Sequence, residues 1–317
     1  MSGDLVPFTR LRRAAPAVLA LIYPELVALG PAVNPAFLLI TSVVSIVALV
    51  TLRHTPASLP SSRRVALLAA AAPALYPFVS GLLQGAALWW LLWATAAVTA
   101  VLERPGTAVM AAAVIPQGRA PGRTLLAAHG LSALLIATFA LAHLVNHLGG
   151  FVSGQVHLHL MHTLRQVYRQ PLIEPLLLAA VGFQAASGAV LLWRRVPRIG
   201  TWPDTLQAGS GGYLLAFFVA HVTAVLRARL QLGIDTDWHW LVGRSLLHDP
   251  WVVRLLPYYG LSVIALGLHA GLGLRQLLVR RSLRLATVAY RSVAGAAIAA
   301  AVLIVLGLIG VQLHPAA

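Results

Sequence analysis

The chain has 317 residues, 59% of them hydrophobic and only 10% charged, with a mean hydropathy of +0.83. Soluble domains carry roughly 25% charged residues, so a water-soluble globular protein is excluded. The absence of cysteine excludes disulfides, thiolate metal sites, covalent c-type haem attachment and iron–sulfur ligation by this chain.

Apolar runs of roughly 18 residues or more recur along the chain, each long enough to cross about 30 Å of hydrocarbon. They predict helices at about 14–31, 35–52, 65–81, 84–102, 125–148, 172–194, 207–230, 257–279 and 286–311. The fold class is therefore an all-α polytopic membrane protein of about nine transmembrane helices. The runs lack the alternation of a barrel, and backbone polar groups in lipid must be satisfied internally. The first run follows Arg10, Arg12 and Arg13 like a signal peptide, but without a clear cleavage site it reads as an uncleaved helix. It contains Pro24, which a membrane helix tolerates when a neighbour covers the freed carbonyl.

The net charge of +15 comes from arginine alone, since the chain has no lysine. These arginines flank apolar runs, as topology signals do, and no basic domain stands apart to bind nucleic acid. With the N-terminus inside, seventeen arginines fall on inside segments and six on outside segments, which favours N-in/C-out in a bacterial-type inner (plasma) membrane. Three parts follow: a four-helix region of unknown role over 1–104, an inside linker over 105–124, and a five-helix region over 125–317.

The last part holds an internal repeat. His129, Ser132 and His143 recur 78 residues later as Gln207, Ser210 and His221. Gln184 and Gly188 recur 85 residues later as His269 and Gly273. Each half is a helical hairpin, and two hairpins make a four-helix bundle able to place ligands on facing surfaces, with one extra helix. Histidine at membrane depth is costly unless paired, and neutral imidazole recovers that cost by ligating haem iron. Gly188, Gly211, Gly212, Gly271 and Gly273 offer room for a flat macrocycle. Alternatively, the histidines hydrogen-bond across helices with no cofactor, and His269 bonds Gln184.

Residues 125–317 resemble the cytochrome b membrane subunit of succinate dehydrogenases and fumarate reductases, in its single-chain five-helix form. The resemblance rests on HGLSALLIATFALAHLVNH, TLQAGSGGYLLAFFVAH, LHAGLGLRQLL and AAVLIVLGLIGV, in order. It implies a haem b held by His143 and His221, with His269 as a ligand of a second haem. That second haem is doubtful, because Gln184 stands where its other histidine would be. It also implies a membrane quinone as substrate and a soluble flavoprotein or iron–sulfur partner on the inside. Residues 1–104 have no counterpart in that family.

Other candidates lie on the outside segments. Glu174 is a candidate proton acceptor for quinol, or forms a surface ion pair with Arg169. His159 and His162 share one helical face and are candidate metal ligands, with His157 in the same segment and His239 and His248, on the other outside segment, able to complete a site. Asp235, Asp237 and Asp249 read as polar surface. The alternatives to an electron-transfer cytochrome are a histidine-containing transporter or metal-handling protein, and a haem-free scaffold of the same fold.

Overall fold

The computed structural model describes residues 5–29, 36–83, 85–105, 122–242 and 252–314, which contain helices and no strand. The helices are α1 (Leu5–Leu21), α2 (Tyr23–Ala28), α3 (Ala36–His54), α4 (Pro60–Ala70), α5 (Ala72–Pro77, continued by a π-turn over Phe78–Leu82), α6 (Ala86–Leu102), α7 (Arg123–Val152), α8 (Gly154–Tyr168), α9 (Ile173–Arg195), α10 (Trp202–Leu230), α11 (Trp238–Val242), α12 (Leu255–Leu278) and α13 (Leu283–Leu308). By length and composition, α7, α9, α10, α12 and α13 can each cross a membrane. Their exposed leucines, such as Leu131, Leu134, Leu141 and Leu176, suit contact with lipid. Most of the expected linker, 106–121, lies outside the described residues.

The N-terminal helices depart from the expected four continuous spans. The helix expected at 14–31 begins earlier and breaks at Ile22 into α1 and α2. Pro24 has no N–H, so the Ala20 carbonyl loses its helical donor, and the Trp89 indole Nε1 donates to it at 3.0 Å. The helix expected at 65–81 begins at Pro60 and bends by 65° between α4 and α5. Pro73 interrupts the ladder there, and Ser45 Oγ donates to the Ala70 carbonyl at 2.8 Å. The 17 residues of α6 reach only about 26 Å at 1.5 Å per residue.

The five long helices form a closed ring in the spatial order α7, α9, α10, α12, α13 and back to α7. The seams close through small residues, as membrane helices do. A Cβ on Gly267 would meet the Ala297 Cβ at 2.1 Å, and one on Gly307 would meet the Phe151 backbone nitrogen at 2.8 Å. The tail after α13 then caps the end of α7. Leu313 N and His314 N donate to the carbonyls of Phe151 and Val152, each at 2.9 Å. Facing helices α7 and α10 have at most marginal backbone contact, so their side chains meet in the middle of the ring.

Helices α3 to α5 pack on the outside of α10 and α12, while α1 packs with α6. Two charges, the half-buried Glu103 and the buried Arg63, fasten this region. The Glu103 carboxylate accepts from Ser61 N and Ser62 N, each at 2.7 Å, and from Ser62 Oγ at 2.6 Å. It thus caps the N-terminus of α4 from a distant part of the chain. Arg63, 4% exposed, donates to the carbonyls of Thr55 (2.9 Å), Val196 (2.9 Å), Pro197 (3.0 Å) and Ile199 (2.7 Å). Three of those carbonyls lie at the C-terminal end of α9, where a cation is favoured. The Arg64 guanidinium lies 3.8 Å from the centre of the Trp193 ring, a second tie between the two regions.

Candidate functional site

The repeat becomes two levels of polar groups inside the ring. At one level His143 of α7 and His221 of α10 face each other, with ring centroids 6.2 Å apart and planes at 65°. Each stacks on the phenylalanine one turn earlier. Phe139 lies 5.5 Å from His143 and Phe217 lies 5.1 Å from His221. These phenylalanines obey the same 78-residue offset, a match that the polar residues alone did not reveal. Tyr168 lies edge-on to Phe139, and Tyr259 edge-on to His221.

This pair fits haem iron by donor type and by spacing. Imidazole nitrogen binds a first-row metal at about 2 Å, so two rings on one metal sit about 6 Å apart between centres. The ring centroids of His143 and His221 have that separation. One neighbour competes for His143. His147 Nε2 lies 3.2 Å from His143 Nε2, so binding iron there would exchange this hydrogen bond for a metal bond.

Histidines continue from this level towards α8. The His147 ring lies 5.2 Å from His157, which lies 4.7 Å from Trp238. Asn146 Nδ2 donates to His157 Nε2 at 3.3 Å. Ser153 caps α8, accepting from Val156 N at 3.1 Å, which turns the chain so that His157 faces back onto α7. Burial holds His157 at about 4, well below the ordinary histidine range, with His143 and Arg165 adding to the effect and Asp237 opposing it. Sequence reasoning passed over His147, Asn146 and Trp238. The signal was present for His147, which stands four residues after His143 and so on the same face.

At the second level each histidine is held by a glutamine and a serine. Gln184 Nε2 donates to His129 Nε2 at 3.0 Å, and His129 Nδ1 lies 2.8 Å from Ser187 Oγ. Ser132 Oγ donates to Gln184 Oε1 at 2.5 Å, and Ser187 Oγ to the Phe183 carbonyl at 2.7 Å. The direction of this chain makes His129 Nδ1 the donor and Nε2 the acceptor. In the second hairpin the roles are exchanged. Gln207 Nε2 lies 3.1 Å from His269 Nδ1 and 3.3 Å from His269 Nε2, while His269 Nδ1 lies 3.3 Å from the Gln207 carbonyl. His269 therefore bonds Gln207, whereas Gln184 serves His129. Gly211 makes room for His269, since a Cβ there would sit 2.9 Å from its Cε1. A Cβ on Gly273 would meet nothing within 4 Å, so close packing does not require glycine there.

The remaining candidates do not join these levels. The carboxylate of Glu174, at the start of α9, accepts from Arg229 Nη2 at 2.5 Å, so its ion-pair partner is Arg229. Arg165 pairs with Asp235 at 2.8 Å and donates to the Thr236 carbonyl, tying α8 to the loop before α11. His159, His162 and His239 are exposed. Among the described residues no group of three or more His, Asp or Glu could hold a metal ion, while His248 and Asp249 lie outside them. Compared with known proteins, the chain matches no protein-family model, no curated protein and no solved structure.

Proposed function

We propose that this chain is a membrane b-type cytochrome that passes electrons between a membrane quinone and a partner protein. The observation that carries the reading is the pairing of His143 and His221 from facing helices, with ring centroids 6.2 Å apart. The resemblance of residues 125–317 to the succinate dehydrogenase and fumarate reductase membrane subunit adds to it. Haem b, when bound, supplies one-electron chemistry. The protein's own residues do the rest. His143 and His221 hold the cofactor, and the stacked Phe139 and Phe217 fix the angle at which each imidazole is presented. Glu174, paired with Arg229 at the start of α9, would take a proton as quinol is oxidised.

On this reading the chain crosses a bacterial-type inner membrane nine times, N-in/C-out. The arginine-rich inner side, with Arg194, Arg198, Arg280, Arg281 and Arg284 among its residues, would face a soluble flavoprotein or iron–sulfur partner.

The test compares air-oxidised and dithionite-reduced spectra, with haem quantification, for wild type, His143→Ala and His221→Ala purified from haem-replete cells. A reduced b-type spectrum in wild type, lost in both well-expressed variants, is expected. A colourless wild type sinks the reading. A second reading would then gain, in which the file of His221, His143, His147 and His157 carries protons in a transporter. Proton uptake by proteoliposomes, sensitive to His147→Ala, would be its signature.

A further inference from the structure

We infer that the arginine-rich end of the ring holds a binding site for one singly anionic phospholipid headgroup, of the phosphatidylglycerol type. The inference does not rest on the cytochrome reading. Where α9 ends, α10 starts and α12 ends, the three helices leave a cavity of about 480 Å³. Its walls include Arg195 of α9, Thr201 and Asp204 at the start of α10, and Leu272, Arg275 and Gln276 of α12. At about 30 Å³ per water molecule the space equals roughly sixteen waters, enough for a phosphodiester and its glycerol.

Three features select this ligand. The first is a set of unspent donors. Among the described residues, the Arg275 guanidinium and the Gln276 amide make no hydrogen bond or ion pair. Arg195 spends Nη2 on Asp204, at 2.7 Å, and keeps Nη1 and Nε for a ligand. Guanidinium donors to a phosphate oxygen make charge-assisted bonds, which are stronger than bonds to a neutral acceptor. The second is the charge of the walls. Arg195 and Arg275 supply two positive charges and Asp204 one negative charge, so the cavity carries a single net positive charge. The Asp204 carboxylate is already engaged, since it also accepts from Thr201 Oγ1 at 2.8 Å. One phosphodiester balances the remaining charge. A zwitterionic headgroup leaves it unmet, and a doubly charged one overshoots it. The third is depth. Trp193 and Trp202, 51% and 44% exposed, stand two residues before Arg195 and one after Thr201. Exposed tryptophan sits at the level of lipid headgroups, and basic pockets between membrane helices at that level take lipid phosphates. Leu272, 2% exposed, gives the cavity an apolar wall on which the glycerol end of the acyl chains can rest.

The test is lipid binding to the full-length chain, purified in mild detergent, stripped of native lipid and followed by native mass spectrometry. The probes are phosphatidylglycerol and phosphatidylcholine with the same acyl chains. Arg275→Gln removes a charge inside the cavity, and Arg280→Gln removes an equal charge from the exposed turn after α12. Wild type should bind one phosphatidylglycerol in preference to phosphatidylcholine. Arg275→Gln should weaken that binding about tenfold, the effect of losing one hydrogen-bonded charge. Arg280→Gln should leave it nearly unchanged. Arg275→Lys, which keeps the charge, should restore the preference, and this separates a lost contact from a folding defect. An equal loss in Arg275→Gln and Arg280→Gln overturns the site, because diffuse attraction to a basic surface then accounts for the binding. Equal binding of the two lipids by wild type overturns it, and so does phosphatidylglycerol binding that survives Arg275→Gln. Displacement of the lipid by millimolar inorganic phosphate overturns the lipid as occupant and makes the cavity a free-phosphate site.

Discussion

Replacing Arg63 with methionine tests whether one buried guanidinium fastens the N-terminal helices to the ring. Methionine keeps the apolar stem and removes every donor. Four hydrogen bonds to carbonyls are lost, and three of those carbonyls lie in the turn that follows α9. Hydrogen bonds to a charged group contribute about 1.5–3 kcal/mol each, but they do not add, because burying the cation carries its own desolvation cost. Breaking a comparable buried arrangement costs about 3–5 kcal/mol. At roughly 2–4 °C per kcal/mol, the unfolding midpoint should fall by about 6–20 °C. The assay is thermal unfolding in a fixed detergent, followed by tryptophan fluorescence. Arg63→Lys, with a single ammonium on the same site, should fall between wild type and Arg63→Met. A fall of less than about 2 °C in Arg63→Met would refute the reasoning, since even one net charged hydrogen bond exceeds that.

Glu103→Gln keeps the shape of the cap on α4 but removes its charge, so it should cost about 1 kcal/mol, read in the same assay. Gly150→Ala should destabilise by about 1–3 kcal/mol, because the new Cβ would meet the Trp238 ring at 2.3 Å, and Trp238→Leu should relieve most of that loss. His157 gives a pH signature. Its folded value, about 4, lies below the ordinary 6.5, so between those values the unfolded chain binds more protons and stability falls as pH falls. Above 6.5 the group contributes no slope, and His157→Gln should flatten the stability profile between pH 4 and 6.5 while leaving neutral pH little changed.

The C-terminal ring was legible because its signals are strong and local. The runs at 125–148 and 286–311 are long, apolar and free of internal proline, and the structure extends α7 only to Arg123–Val152. The 78-residue offset placed His143 and His221 at matched depth, and a repeat in sequence is a repeat in height along parallel helices. What sequence did not show is which neighbour each polar group meets. Gln184 and His269 are aligned by the repeat, yet each bonds across its own hairpin, to His129 and to Gln207. Helix order in space decides this, and periodicity carries no information about it. The N-terminal helices were misread for a different reason. Pro24 and Pro73 each remove one donor, and whether a helix kinks or breaks depends on who takes the freed carbonyl. Trp89 takes the Ala20 carbonyl that Pro24 frees, while at the bend near Pro73 Ser45 bonds the neighbouring Ala70 carbonyl, and both donors are far away in sequence.

The seam between α7 and α13 has a consequence for biosynthesis. The ring is closed by its first and last members, locked by Gly307 against the Phe151 backbone and by the tail over the end of α7. Roughly 130 residues separate the end of α7 from the start of α13. At about 5–20 residues per second, α7 waits about 6–26 s after leaving the ribosome before its last neighbour exists. For that interval the face of α7 that will meet α13 is open sideways to the lipid, a timed entrance through which a large flat molecule can reach the interior before the last helix shuts it.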